Sequence, residues 1–413
     1  MSRRLQTNPI SDPKLAEQGR RLYEWAANRM TILEKFAAKN RTKKPLAGFK
    51  LGLCLHVTKE TSVLAMAAKS LGAEIAICSA NPLSVQNDVA AFLSSQGIRT
   101  FAWRGETKEE YDQCISSVLD TKPDIVTDDG GDLHTAAHKS RTKSIVGGTE
   151  ETTSGVKRLQ SMQRHGKLAY PVIAVNNAHT KHLFDNRYGT GQSTIDGIQR
   201  SAGVLFAGKH MVVSGYGWVG KGVAARAKGM GANVTITEVD PVKALEARMD
   251  GFDVMKLSEV APYGDIFVTC TGQTSIIRKE HFVKMKNGAI LANAGHFDVE
   301  INIQDLHSVA DAQPQTVRQD VEEFLVRGRK IYLLAKGRVV NLVAASGNPS
   351  EIMALSFANQ LLSILHIAEN HDMMELKLYD VPEEIDVAVA RYALEAMGIK
   401  IDRQTEKQKK YQS

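Results

Sequence analysis

The sequence predicts an α/β protein built from two parallel-sheet domains. Three observations carry this reading. Short apolar runs alternate with amphipathic stretches from about residue 50 to residue 130; the alternation restarts near residue 209; and 413 residues exceed the roughly 150 of one typical domain. Hydrophobic residues make up 43% of the chain and charged residues 24%, as in an ordinary folded protein and unlike a disordered or fibrous one.

Taken in order, residues 12–38 show helical periodicity (Leu15, Leu22, Trp25, Met30, Leu33, Phe36) until Pro45 and Gly48 break it. The runs KLGLCLH, AEIAICSAN, RTFAWR and DIVTDDGG then read as strands, separated by helices such as ETSVLAMAAKSLG and NDVAAFLSSQG. Each strand run ends in polar groups: His56, then Ser79 and Asn81, then Arg104, then Asp128, Asp129 and Asp132. Ligands of open parallel sheets sit beyond the carboxyl ends of the strands, so these groups are expected to line one crevice. The second region runs from KHMVVSG through a helix from Trp218 to Lys228 to NVTITEVD, then DIFVTC, AILANAG, KIYLLAKG and VVNLV. After Pro349 the pattern is helical (EIMALSFANQLLSILHIAEN), without further nucleotide-binding signal.

Charge and cysteine usage exclude several classes. Lys and Arg number 52 against 46 Asp and Glu, a net +6 spread along the chain. The densest basic runs, Lys39 to Lys44 and Lys407, Lys409 and Lys410, lack interleaved aromatics and read as solvated surface, so no nucleic-acid partner is expected. Cys54, Cys78, Cys114 and Cys270 form no CxxC pair, which argues against a metal site or a disulfide scaffold and for a reducing compartment. Arg3 and Arg4 are followed by polar residues where a secretory signal needs an apolar run, and no stretch reads as a membrane span. The expected location is the cytoplasm, with no membrane partner.

Gly215, Gly217 and Gly220 form GYGWVG between the strand MVVS and a helix, the context a dinucleotide fingerprint requires. The first glycine allows the tight turn, the second lets backbone approach a pyrophosphate, and the third permits close helix–strand packing. Glu238, at the end of VTIT, suits ribose hydroxyls and repels a 2′-phosphate, favouring NAD over NADP, while Lys243 softens that repulsion.

With these residues in place, the chain resembles the S-adenosylhomocysteine hydrolase (adenosylhomocysteinase) family from about residue 45 to residue 411. The segments carrying the resemblance are LHVTKET (55–61), DDGGDL (128–133), TEETTSGVKRL (149–159), NNAHTKHLFDNRYG (176–189), GYGWVGKG (215–222), TEVDP (237–241), AGHFDVEI (294–301) and VVNL (339–342). The resemblance implies reversible cleavage of S-adenosylhomocysteine to adenosine and homocysteine with a catalytic NAD. A ribose thioether is inert until C3′ is oxidised; the ketone acidifies C4′, homocysteine leaves by elimination, water adds, and reduction restores the sugar.

Residue by residue, the resemblance implies that Lys181 and Asp185 manage the C3′ hydroxyl proton and that Glu151 holds the ribose hydroxyls. Asp129 and His56 work at C4′ and C5′, and His296 lies between nicotinamide and substrate. Thr58 and Glu60 contact the adenosine moiety, with Glu60 on the exocyclic amine. Thr152, Thr153, Ser154, Asn186, Trp218, Val219, Lys243, Ala294, Gly295, His296 and Asn341 join the glycines and Glu238 as cofactor contacts. Phe184 and the asparagines around Lys181 and Asp185 suggest a loop entering a helix.

The implied organisation is a discontinuous substrate domain (1–190 and 348–413) around an inserted Rossmann NAD-binding domain (191–347), assembled as a homotetramer. The chain departs from the family pattern at Asn348, where many relatives have His, and at Thr190, where many have Cys; it also lacks the Lys- and Tyr-containing C-terminal extension of longer relatives, which predicts easier cofactor exchange. The alternatives are S-inosylhomocysteine hydrolysis, a non-catalytic nucleoside- or NAD-binding homologue, and a 2-hydroxy acid dehydrogenase, in which DDGGDL and TEETT have no role.

Overall fold

A computed structural model describes residues 10–412; Arg3 and Arg4 lie outside the described residues. The chain forms two sheets. The first contains β1 (Lys50–Leu55), β2 (Glu74–Ser79), β3 (Arg99–Phe101), β4 (Ile125–Asp128), β5 (Gly147–Glu150) and β6 (Val172–Ala174). The second contains β7 (His210–Ser214), β8 (Asn233–Thr237), β9 (Asp253–Val254), β10 (Ile266–Thr269), β11 (Ala289–Asn293), β12 (Gln315–Arg318), β13 (Val321–Val326) and β14 (Arg329–Leu334). A last strand, β15 (Leu378–Asp380), returns to the first sheet and pairs with β6.

The first sheet is parallel throughout, in the order β15-β6-β5-β4-β1-β2-β3. Its central strands are buried along nearly their whole length, which is why they read as continuous apolar runs instead of alternating ones. The second sheet runs β12-β13-β14-β11-β10-β7-β8-β9 and is mixed, because β13 is antiparallel to both β12 and β14. Its body, β14-β11-β10-β7-β8-β9, is parallel as expected, and the antiparallel β12–β13 edge is an addition the sequence did not announce. β13 and β14 are joined by Arg327 and Gly328, both at positive φ (51° and 72°), the two-residue reversal whose twist suits a hairpin. The apolar run VVNLV is helical over Val340–Val343.

The helical periodicity of residues 12–38 belongs to two helices, Ala16–Ala27 and Thr31–Asn40. Helix Ser350–Asn370 packs Ala354, Leu355, Phe357, Ala358, Leu361 and Ile364 into the core around Leu51, Leu53 and Ile173. By length and composition the stretch Ser350–Met373 passes for a membrane span, yet 67% of its apolar window is buried inside the molecule. Burial of each such leucine or phenylalanine contributes about 1.5–3 kcal/mol, so this helix is fixed against the first sheet.

Candidate active site

The carboxyl ends of β4 and β5 lie side by side, with Asp128 opposite Glu150. Successive strand residues point to opposite sides, and the chain uses this to separate two pairs of acids. Asp128 and Glu150 turn into the body. Asp128 accepts from the backbone N–H groups of Asp129 (2.9 Å) and His134 (2.8 Å), and Glu150 from those of Gly130 and Thr152 (both 2.9 Å). They fix the two turns on which the next residues, Asp129 and Glu151, reach a cavity of about 430 Å³. Burial pushes the Asp128 carboxyl up to about 7 and Glu150 well above the usual range.

Lys181 is the centre of the cavity's polar wall. Its ammonium lies 3.3 Å from Asp185 Oδ2 and 3.5 Å from Glu151 Oε1, and donates to Asn186 Oδ1 (2.9 Å) and Asn176 Oδ1 (3.4 Å). All three charged groups are at most 4% exposed. Burial raises the Glu151 carboxyl to about 7 against the pull of Lys181. Burial would depress Lys181, but Asp185, Glu151 and Asp129 outweigh it and the net shift is upward. The expected loop around Lys181 is instead helical: His179–Lys181 passes into a π-helical segment, His182–Gly189, and on into helix Thr190–Ala202. The widened turns leave Lys181, Asp185 and Asn186 lining one cavity, a use of π segments seen at many functional sites.

Asp129 stands between two histidines. His56 Nε2 is 3.5 Å from Oδ2 and His296 Nδ1 is 3.5 Å from Oδ1. The Ser84 hydroxyl donates to the Asn81 carbonyl (2.8 Å) and lies 2.7 Å from His56 Nδ1. The Ser84 contact holds the ring with Nε2 turned toward Asp129. Burial lowers His56 to about 4 and also lowers His296, against the opposing field of Asp129, so both rings are neutral near pH 7. Two trios have the spacing of metal ligands: His56, Asp129 and His296, and Asp128, His134 and Glu150. In the second, both nitrogens of His134 are already used by Tyr170 and the Thr149 carbonyl. His296 comes from the loop after β11, yet its Nε2 sits where a Cβ on Gly130 would be, 2.3 Å away. The two sheets therefore meet at this point, and only glycine leaves room.

Helix Ser350–Asn370 supplies groups that the sequence reading missed. Ser350 donates to Glu60 Oε1 (2.6 Å), Ser356 to Asp185 Oδ2 (2.8 Å) and Gln360 to Glu151 Oε2 (2.5 Å). Each is buried, and each serves an acid from an earlier segment. The signal lay in polar residues interrupting a helix otherwise apolar all round, for which burial without a partner is costly. Asn348 donates to Asp185 Oδ1 and to Thr190 Oγ1 (3.1 Å) and accepts from Ser193 (2.7 Å) and Asn341 (3.3 Å).

On the side of the second sheet, Gly215 takes φ +99°, and a Cβ on Gly220 would stand 1.9 Å from the Gly215 carbonyl oxygen. Nothing lies within 4 Å of a Cβ on Gly217, so the backbone at the start of helix Trp218–Gly229 is open to a ligand. Glu238 accepts from the N–H groups of Tyr216 (2.7 Å), Val239 (2.7 Å) and Asp240 (3.1 Å), tying the end of β8 to the glycine turn. Glu300 braces the far wall, accepting from Thr271 and Gly272, and a Cβ on Gly295 would meet it at 1.9 Å. The cavity continues from Gly217, Trp218, Val219 and Lys243 past Ala294, Gly295 and Asn341 to Thr152, Thr153, Ser154 and Asn186. An open glycine backbone at a helix N-terminus, a neighbouring strand-end acid and an elongated cavity fit a dinucleotide. Of the expected site residues, Gly215, Gly220 and Glu238 lie behind the lining; His56, Thr58, Glu60, Asp129, Glu151, Lys181, Asp185 and His296 are on it with the other cofactor candidates.

Comparison with known proteins identifies related sequences over nearly the whole chain. Residues 7–146 match the family model for S-adenosyl-L-homocysteine hydrolase, and residues 186–347 match that for its NAD binding domain. The chain is 54% identical over 404 residues to the adenosylhomocysteinase of Sulfurisphaera tokodaii, covering 97% of each chain. It is 52% identical over 405 residues to the S-inosyl-L-homocysteine hydrolase of Methanocaldococcus jannaschii, again covering 97% of each. The adenosylhomocysteinase of Aquifex aeolicus is 53% identical over 409 residues, with 98% of each chain covered.

Proposed function

The chain belongs to the S-adenosyl-L-homocysteine hydrolase family, an NAD-binding hydrolase family, and from this we propose that it cleaves S-adenosyl-L-homocysteine reversibly to adenosine and L-homocysteine. The observation that carries the reading is the buried ammonium of Lys181 set between Glu151 and Asp185, opposite the glycine turn in one continuous cavity.

Bound NAD supplies reversible oxidation of the sugar carbon. The chain's residues do the rest. Lys181 and Asp185 take and return the 3′-hydroxyl proton, and Glu151, with one oxygen fixed by Gln360, accepts the ribose hydroxyls. Asp129 removes the C4′ proton; His56, with Nε2 turned inward, serves the group entering or leaving C5′. His296 covers Asp129 from the second sheet. Thr58 and Glu60 hold the base. Gly215, Gly217, Trp218, Val219, Gly220, Glu238, Lys243, Ala294, Gly295 and Asn341, with Thr152, Thr153, Ser154 and Asn186, hold the dinucleotide.

The same reading takes residues 1–190 and 348–413 as the substrate domain and 191–347 as the cofactor domain, and the return of β15 to the first sheet supports it. It also makes the enzyme cytoplasmic and homotetrameric, with sedimentation as the test of assembly. The direct test incubates the purified protein with adenosine and homocysteine. S-adenosylhomocysteine forms without net accumulation of NADH, and denaturation releases stoichiometric NAD; product formation by protein stripped of NAD would overturn the proposal.

A further inference from the structure

We propose that Lys59 and Ser350 set the base specificity of the site by holding Glu60 as an acceptor-only group, so that the pocket takes purine nucleosides with a 6-amino group and rejects those with a 6-carbonyl. The inference rests on the reading of Glu60 as the base contact given above.

Glu60 is 2% exposed, sits in the first turn of helix Lys59–Ser70 and lines the cavity. Its Oε1 receives two donors, the Ser350 hydroxyl at 2.6 Å and the Lys59 ammonium at 2.9 Å. Among the described residues no hydrogen bond goes to Oε2, which is left to the ligand. Neither donor lines the active-site cavity. Both face a second cavity of about 540 Å³ that shares Ser346, Gly347 and Asn348 with the first as a common wall. Lys59 and Ser350 thus reach Glu60 from behind the base and act through it as positioning residues.

The chemistry follows from the inventory of donors and acceptors. A carboxylic acid offers both an O–H and an acceptor, and accommodates an amine or a carbonyl; a carboxylate paired with an ammonium offers acceptors alone. Facing a 6-amino group it makes a charge-assisted hydrogen bond, and facing a 6-carbonyl it sets two acceptors against each other in a buried site. Overall similarity does not decide the substrate, because relatives named for adenosyl and for inosyl substrates are 54% and 52% identical to this chain. The back side of Glu60 does.

The test measures thiol release from S-adenosyl- and S-inosyl-homocysteine by the holoenzyme, with stoichiometric NAD as the control for folding. The wild type is expected to prefer the adenosyl substrate in kcat/KM by about 10³-fold or more. Lys59→Met and Ser350→Ala are each expected to narrow that ratio by about 10-fold, and Lys59→Arg and Ser350→Thr to restore it. A wild type that prefers the inosyl substrate would overturn the Glu60 reading itself. A wild type that prefers the adenosyl substrate, with a ratio that neither variant moves, would overturn the role of Lys59 and Ser350 alone.

Discussion

The carboxyl edges of the two sheets meet over one cavity but are built from different materials. The first ends in Asp128, Asp129, Glu150 and Glu151, with Lys181 and His56 close by, all buried or nearly so. The second ends in glycine-rich turns, Gly215 to Gly220 and Gly295, whose acids Glu238 and Glu300 are spent on backbone N–H groups. One edge is arranged to hold and move protons; the other is arranged to present backbone to an anion. The lesson is that a site needing both proton transfer and a dinucleotide keeps the two tasks on separate scaffolds, since buried titratable groups and exposed backbone donors demand opposite surroundings.

The sharpest way to break this contrast is Lys181→Ala. The variant keeps its NAD, because the glycine edge is untouched, but nicotinamide reduction on adding adenosine slows by about 10²- to 10⁴-fold, read by absorbance. The converse is Gly220→Ala: its methyl meets the Gly215 carbonyl, and NAD retained after gel filtration falls by about 10- to 100-fold, corresponding to about 1–3 kcal/mol of overpacking. Less drastic is Gln360→Ala. Loss of its hydrogen bond raises the Glu151 carboxyl beyond about 7, so the acid limb of the kcat/KM profile moves to more alkaline pH while NAD content is unchanged. The smallest effect concerns stability. Burial lowers His134 to about 3, below the 6.5 of an unfolded histidine, so the unfolded chain binds the proton first. Stability contributed by the neutral ring is therefore full above pH 6.5 and is lost as pH falls, at roughly 1.4 kcal/mol per pH unit, down to about 3. Denaturant midpoints between pH 7 and 4 should show this slope, and His134→Gln should flatten it.

Much of this arrangement could be read from the chain. Apolar runs such as LGLCL and HMVVS betrayed fully buried parallel strands, and the glycines after MVVS announced their turn through spacing alone. Short β5 and β6 escaped because GGTE and VIA carry little strand signal; their pairing is dictated by the neighbours they complete. The hairpin of β13 and β14 hid in an Arg-Gly pair. The acids and Lys181 were legible as a set by resemblance, but their partners were not. Ser350, Ser356 and Gln360 lie far along the chain, and helical periodicity says which face is buried, not which carboxylate waits there. The π segment was also invisible, since its residues would suit an α-helix or a loop equally.

The late position of those three donors has a consequence for biosynthesis. A ribosome delivers Glu60, Glu151 and Asp185 well before it delivers Ser350, Ser356 and Gln360. Until then those acids have Lys59 and Lys181 as partners, and helix Ser350–Asn370 brings a further donor to all three at once.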